Sequence, residues 1–300
     1  MLNVAIVGYG NLGKAIEQKL KQTNNFNIVG VFSNRHIENT IHISKLKKYK
    51  QNIDLLFLCG GSQNMLEDQG QKYIKDFNII ESYDNHNKLS NYINKINTLA
   101  KRYKKISLCS FGWDPGLFSY MRGLFDSLNF SPNTFWGKGL SQGHTQAIKN
   151  VEGVVDGLQF TIPNKKAINK VKKGKTIKDK NSLHKRICYV VCKKCDKSKI
   201  SQNIKNMPDY FKGYKTNIRF VSQKRLTRQK NFSHKGCVIT KNEEMSFYIK
   251  TKSNPDFTAN IMVTYAKCFE TLIKNKTYGA FTIFDIPLCY ILAKDKFKYL

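Results

Sequence analysis

Residues 4–13 read Val-Ala-Ile-Val-Gly-Tyr-Gly-Asn-Leu-Gly, an apolar run that passes straight into Gly8-x-Gly10-x-x-Gly13. The run 2–7 predicts one buried strand, and residues 14–21 predict a helix with Ala15, Ile16 and Leu20 on one face. The glycines therefore stand where a strand must turn sharply into a helix. Gly8 permits the tight turn, Gly10 lets the backbone approach a pyrophosphate, and Gly13 lets helix and strand pack closely. The helix N-terminus offers its N–H groups to the phosphates. A bound dinucleotide follows from this context, and a glycine-rich turn without a ligand is the plainer alternative.

The end of the second strand, residues 27–32, bears on which dinucleotide is held. That strand closes on Ser33-Asn34-Arg35, and no acid appears between Asn27 and Ile37. A free ribose 2′-hydroxyl usually meets an Asp or Glu here. A serine hydroxyl and a guanidinium suit a 2′-phosphate instead. NADP is therefore expected ahead of NAD, with Arg35 as a merely solvated loop charge the competing reading.

The chain of 300 residues is long enough for two domains, and its hydrophobic fraction of 41% is ordinary. No stretch approaches the ~20 apolar residues of a membrane span. The first residues carry neither a basic lead nor a small-residue cleavage site, so a cytoplasmic protein without a signal peptide or membrane partner is expected. The formal net charge of +30 invites a nucleic-acid reading. The basic residues are dispersed, however, and accompany no RNA- or DNA-binding motif, so no specific nucleic acid is expected. Among the eight cysteines, Cys59, Cys109, Cys268 and Cys289 lie in apolar runs. His184, Cys188, Cys192 and Cys195 allow a zinc site to be drawn. Residues 186–192 alternate like a strand, though, and no second CxxC pair completes four ligands, so no metal is expected.

Beyond the second strand the first half continues to alternate. Strands are predicted at 54–59, 78–82 and 106–110, with helices at 63–76 and 86–103. Repeated strand–helix units argue a parallel sheet covered on both faces. The loops after the strands' carboxyl ends are Gly60-Gly61-Ser62, Tyr83-Asp84-Asn85-His86 and Phe111-Gly112-Trp113-Asp114-Pro115, and they should line the ligand crevice. From about residue 119 the alternation stops. A helix to 128 precedes the glycine-rich stretch 135–144. Strands are then predicted at 154–162, 185–192, 216–221 and 235–250, helices at 168–173 and 198–206, and one long amphipathic helix at 256–275. The fold class read from this is α/β: an N-terminal Rossmann-type doubly wound parallel sheet over 1–118, with 256–300 packing back on it, and a mixed α+β domain over 119–255.

Several of these motifs, taken in order, resemble the meso-diaminopimelate D-dehydrogenases. The stretches that carry the likeness span nearly the whole chain. They are residues 4–13, Val-Gly-Val-Phe-Ser (29–33), Asp-Leu-Leu-Phe-Leu-Cys (54–59), Tyr-Asp-Asn-His (83–86), Gly-Trp-Asp-Pro-Gly (112–116), Phe-Trp-Gly-x-Gly-Leu-Ser-Gln-Gly-His (135–144), His-Lys-Arg (184–186), Met-Pro-Asp-Tyr-Phe (207–211), Val-Ile-Thr (238–240) and Asn-Pro-Asp-Phe-Thr-Ala (254–259). The resemblance implies reversible, NADP-dependent oxidative deamination of the D-centre of meso-2,6-diaminoheptanedioate. The products would be L-2-amino-6-oxoheptanedioate and ammonia, within lysine and diaminopimelate metabolism. It also implies a homodimer formed through the second domain, which would bind the substrate as well.

Residue by residue, the resemblance implies that Gly8, Tyr9, Gly10, Asn11, Leu12 and Gly13 hold the cofactor, together with Cys59, Gly60, Gly61 and Ser62. Ser33, Asn34 and Arg35 would meet the 2′-phosphate. Ser82, Tyr83, Asp84, Phe111, Gly112, Trp113, Asp114 and Pro115 would approach the nicotinamide end. Asp84, Asp114, Trp136, Gln142 and Gly143 would touch substrate near the reacting centre, and Thr161, Arg186, His234 and Asn254 would hold its far L-end. Asp84 and Asp114 are the catalytic candidates, with the division of labour between them open. Such a zwitterion does need anionic and cationic contacts at separate points, and Arg186 can take a carboxylate bidentately. Two departures stand out: Asn34 replaces an arginine common in the family, and the loop around His234 is altered. Each side chain also has a plainer role. Asp84 and Asp114 could cap helices, the two tryptophans could be core, Arg186 could pair with a surface carboxylate, and Asn254 could cap the last helix. Another NADP-linked reductase of amino-acid metabolism and a non-enzymatic dinucleotide sensor are the competing functions.

Overall fold

The structure, a computed structural model, describes residues 1–61, 65–193, 196–208, 210–229, 233–292 and 296–300. It divides into two compact units, Met1–Tyr120 with Pro255–Leu300, and Met121–Asn254.

The first unit opens with β1 (Leu2–Val7), α1 (Asn11–Leu20), β2 (Phe26–Ser33) and β3 (Ile41–His42). It continues through β4 (Leu55–Leu58), α2 (Leu66–Tyr73), β5 (Ile79–Glu81), α3 (Leu89–Arg102), β6 (Ile106–Leu108) and the start of α4 (Leu117–Ser127). Successive strand residues point to opposite faces, and here both faces are apolar. Val4, Ile6, Leu55, Phe57 and Ile80 pack with Ala15, Ile16 and Leu20 of α1. Ala5, Val7, Leu56, Leu58 and Ile79 pack on the other side with Leu66 of α2 and with Tyr92 and Ile96 of α3. A strand so apolar on both faces needs helices on both, which is why the strands are parallel and joined by helical crossovers.

The second unit contains β7 (Pro132–Trp136), β8 (Gly139–Leu140), α5 (Gln142–Lys149), β9 (Val154–Pro163), α6 (Lys165–Lys172) and β10 (His184–Cys192). It ends with α7 (Lys197–Lys205), β11 (Lys215–Phe220), α8 (Gln223–Gln229), β12 (His234–Thr240) and β13 (Ser246–Thr251). Strands in the order β11-β10-β9-β8 form one mixed sheet, and β13-β12-β7 form an antiparallel one.

The chain then returns to the first unit through α9 (Asn254–Ala266), α10 (Phe269–Lys274) and β14 (Gly279–Phe281). Ala259, Met262, Val263, Phe269 and Leu272 join the core that also receives α1. The first unit's parallel sheet runs β14-β6-β5-β4-β1-β2-β3, so chain order reverses across β1, which lies between β4 and β2.

Four expectations change. The stretch 235–250 is not one strand but a hairpin, because Asn242 and Glu243 adopt φ of 59° and 54° and reverse the chain. The helix read over 256–275 breaks after Ala266. There the N–H groups of Lys267 and Cys268 turn back to carbonyls three residues earlier, those of Thr264 and Tyr265. The helices read from 63 and 86 are Leu66–Tyr73 and Leu89–Arg102, and the N-cap position of α3 is Lys88. Finally β14, unforeseen, extends the sheet by pairing with β6. Among the described residues no helix is long and apolar enough to cross a membrane.

Candidate active site

The carboxyl ends of β1, β2 and β4 finish level with one another, since Val7 pairs with both Phe32 and Leu58. The Gly8 N–H donates to the Phe32 carbonyl at 2.8 Å and the Cys59 N–H donates to the Val7 carbonyl at 2.8 Å. Gly8, Ser33 and Cys59 are thereby held together where the order of the sheet reverses, the place at which open α/β sheets bind ligands. Gly8 has a φ of +97°, and a Cβ on Gly13 would fall 2.1 Å from the Gly8 carbonyl oxygen. Both positions are closed to side chains by the protein itself. Gly10 differs: a Cβ there would meet nothing within 4 Å, so its neighbourhood is open space. Gly10 also begins α1, whose first turn has neither a side-chain cap nor an acidic residue. An uncapped, acid-free helix start beside open space fits a pyrophosphate.

Tyr9 donates its hydroxyl to Glu17 at 2.5 Å, which ties the loop to the helix that Asn11, Leu12 and Gly13 open. At the end of β2 the buried Ser33 hydroxyl accepts the Arg35 N–H at 3.0 Å. That turn presents Asn34 and Arg35 to solvent. Arg35 lines a cavity of about 300 Å³ with His36, Ile37, Glu38, Thr40 and His42. Cys59, Gly60 and Gly61 follow β4; Ser62 lies outside the described residues. Ser82, Tyr83 and Asp84 follow β5, and Phe111, Gly112, Trp113, Asp114 and Pro115 follow β6. The β6 loop is tight, with the Gly112 N–H bonded to the Pro115 carbonyl at 3.1 Å and the Phe118 N–H to the Trp113 carbonyl at 2.8 Å. All the first unit's described candidates thus lie at or just beyond the carboxyl ends of its strands.

In the second unit, register brings a different set together. Thr161 of β9 pairs with Arg186 of β10, and Gly139 of β8 pairs with Thr161. Gly139 lies so close to the His234 ring that a Cβ would sit 2.3 Å from it. Two residues before Arg186, His184 accepts the Trp136 N–H at Nε2 over 2.7 Å, and the two rings lie 4.7 Å apart. Thr161, Arg186, His234 and Trp136 are therefore connected through His184 and Gly139. Gln142 and Gly143 open α5, whose N-cap is Ser141, and Asn254 opens α9.

The charges in this set are unusual. Arg186 is 7% exposed, stacks its guanidinium 3.9 Å from the Tyr214 ring centre, and leaves its buried Nε without a partner. Burial lowers its pKa, opposed by Tyr214, and among the described residues no carboxylate pairs with it. Burial lowers the His184 pKa to about 3, with Arg186 and His234 adding to the effect. His234 falls to about 4 through burial, against its hydrogen bond to the Lys235 carbonyl at 2.8 Å. Both histidines are neutral, with the proton on Nδ1: His234 donates from it, and Nε2 of His184 is an acceptor. One buried cation beside two neutral imidazoles leaves this set with a net positive charge, which can pair with an anion.

The family model of the diaminopimelic acid dehydrogenase C-terminal domain matches residues 112–254. The meso-diaminopimelate D-dehydrogenase of Acetivibrio thermocellus is 38% identical over 98% of this chain and 95% of its own. The chain belongs to the meso-diaminopimelate D-dehydrogenase family. The solved C. glutamicum DAP dehydrogenase in complex with DAP superposes with a TM-score of 0.92 at 30% identity, covering 99% of this chain and 97% of that one. An engineered D-amino acid dehydrogenase bound to NADP+ gives 0.92 at 29% identity, over 99% and 98% of the two chains. Membership makes this chain an amino-acid dehydrogenase with a Rossmann fold.

Three residues escaped the sequence reading of the site. His184 sits on the same face of β10 as Arg186, and the strand predicted over 185–192 begins one residue earlier, so the spacing of two lay just outside it. Tyr214 reaches Arg186 only through the pairing of β10 with β11, which no local pattern encodes. Glu81 ends an apolar strand, where an acid is itself a signal. Of the zinc drawing, Cys195 lies outside the described residues, and among the described residues no three potential ligands gather.

Proposed function

We propose that this chain is an NADP-dependent meso-diaminopimelate dehydrogenase. It converts the substrate's D-centre, with water, to L-2-amino-6-oxoheptanedioate and ammonia, and runs in reverse when ammonia is supplied. The observation that carries the reading is Arg186, a buried guanidinium with no carboxylate partner among the described residues. Such a charge is costly to bury, and a substrate carboxylate is the partner that repays it. Thr161, His234 and Asn254 hold the same L-end, and Trp136, Gln142 and Gly143 border the reacting end.

Gly8 to Gly13, Cys59 to Ser62, and the loops bearing Ser82, Tyr83 and Phe111 to Pro115 hold the dinucleotide. Ser33, Asn34 and Arg35 take its 2′-phosphate. When bound, the nicotinamide supplies the acceptor for hydride from the D-centre carbon. Asp84 and Asp114 bind the reacting ammonium and accept its proton, and water then hydrolyses the imine. A dimer built through the second unit completes the proposal, and light scattering across a dilution series at ~0.15 M salt checks it. The deciding assay is NADPH formation with meso-, LL- and DD-diaminopimelate. Turnover confined to the isomers with a D-centre, meso foremost, is expected. No turnover of the meso isomer with either nicotinamide cofactor would overturn the reading.

A further inference from the structure

Glu81, the last residue of β5, is 0% exposed, yet among the described residues no cation forms an ion pair with it. Its carboxylate faces two loops at once. Oε2 accepts the N–H of Tyr83, and Oε1 accepts the N–H of Ser110 at 3.0 Å. Its own carbonyl accepts the N–H of Phe111 at 2.8 Å. Tyr83 immediately precedes Asp84, and Ser110 and Phe111 lead into the loop of Asp114. Ser110 is also held at a φ of +64°, a conformation costing about 1 kcal/mol or more for a residue with a Cβ and kept only when its surroundings enforce it.

From these contacts we infer that Glu81 is a positioning residue, a two-oxygen clamp that fixes the Asp84 loop and the Asp114 loop in register with each other. The inference rests on the dehydrogenase reading for its catalytic meaning. Two N–H donors from separate segments need an acceptor on both sides, and a carboxylate is the side chain that offers two and no donor. A fully buried charge is otherwise expensive, and an apolar residue would serve a core better.

The groups facing Glu81 are the Tyr92 hydroxyl from α3 and the Cys109 thiol, itself 3.2 Å from the Ser107 hydroxyl. Tyr83 turns its hydroxyl to Glu67 of α2 at 3.3 Å. Burial pushes the Glu81 pKa up to about 7, with the N–H groups of Tyr83 and Ser110 and the Tyr92 and Cys109 side chains resisting. Protonation puts a donor on one oxygen and leaves one N–H unpaired, so the clamp loosens as pH falls through neutrality.

The test compares wild type with Glu81→Gln, which places an NH2 against one of the two donors, and with Glu81→Asp, which keeps both oxygens on a shorter stem. Hydrogen exchange read by mass spectrometry at one pH should show both loop segments, 82–86 and 110–116, exchanging about tenfold faster in Glu81→Gln. With meso-diaminopimelate and NADP, kcat should fall about 30-fold, as expected for one lost hydrogen bond to a charged acceptor. NADPH affinity by fluorescence should move less than about threefold. The acid limb of the kcat profile near pH 7 should flatten in Glu81→Gln and move to lower pH in Glu81→Asp. Unchanged protection of either loop, or a wild-type kcat profile, overturns the inference. If Glu81→Gln does not fold, Glu81→Asp decides: both loops must loosen together, and movement of one alone or of neither overturns the clamp. The exchange arm stands apart from the proposed function, which fails separately if wild type turns over no meso-diaminopimelate.

Discussion

Replacing Arg186 by Leu separates what this residue does for the fold from what it does for a ligand. In the folded chain the guanidinium is buried, its Nε lacks a partner, and its favourable contacts are the Tyr214 and Phe211 rings at 3.9 and 5.9 Å. Losing the stacking costs about 0.5–2 kcal/mol. Removing a cation that burial already disfavours returns a similar or larger amount. Glu or Asp would leave a charge in place, whereas leucine fills the volume without one. Thermal and urea unfolding of the unliganded variant should therefore stay within ~1 kcal/mol of wild type, or show it more stable. Function should move the other way. A buried charge-assisted contact to a carboxylate is worth about 2–5 kcal/mol, so kcat/KM for meso-diaminopimelate should drop about 30- to 5,000-fold. Simple D-amino acids such as D-alanine, which lack the second carboxylate, should lose far less, while Asp114→Asn should impair every amino donor. The assay is steady-state NADPH formation beside calorimetric melts. A variant markedly less stable than wild type with unchanged meso-diaminopimelate kinetics would refute the reasoning and make Arg186 a structural residue.

The glycine loop yields a contrasting pair. Gly13→Ala should destabilise the fold, because its Cβ would lie 2.1 Å from the Gly8 carbonyl, whereas Gly10→Ala, with nothing within 4 Å, should melt like wild type and lose cofactor affinity. Melts and NADPH titration of the two variants check this. Arg35→Ala should lower kcat/KM for NADP far more than for NAD, and an equal loss for both would remove its role at the 2′-phosphate. Acid should destabilise the second unit through His184 and His234. Their folded pKa values of about 3 and about 4 lie below the ordinary 6.5, so the unfolded chain binds protons first and stability falls as pH drops from 6.5 toward 4. Glu81 works in the opposite sense: its contribution is full below 4.5 and lost as pH rises to about 7, roughly 3 kcal/mol at about 1.4 kcal/mol per unit. Unfolding free energies from pH 4 to pH 8 should therefore fall less steeply with acid in His184→Gln, and more steeply between pH 7 and 4.5 in Glu81→Gln, where the opposing contribution of Glu81 is gone.

Much of the first unit was legible because its signals are local. Buried parallel strands must be apolar on both faces, and a strand that turns directly into a tightly packed helix must use glycine where Gly8 and Gly13 stand. Pattern and chemistry coincide there within ten residues. The ordered motifs from Tyr83 to Asn254 carried the family in the same way. Chain reversals were harder. Residues 235–250 look uniformly like a strand until Asn242 and Glu243 take positive φ, and 256–275 keeps a helical period across a break that two tight hydrogen bonds create. The pairing of β14 with β6 joins residues about 170 apart in the chain, which no periodicity reports. The electrostatics belong wholly to tertiary structure. Nothing in His184-Lys185-Arg186 says that the arginine stacks on Tyr214, or that two histidines near it stay neutral. Nothing in Asn78-Ile-Ile-Glu81 says that the carboxylate grips the backbone of a strand's neighbour. A residue's type is fixed by the sequence, but its charge state and its partners depend on burial and on what register brings across from distant segments, and only the folded chain decides those.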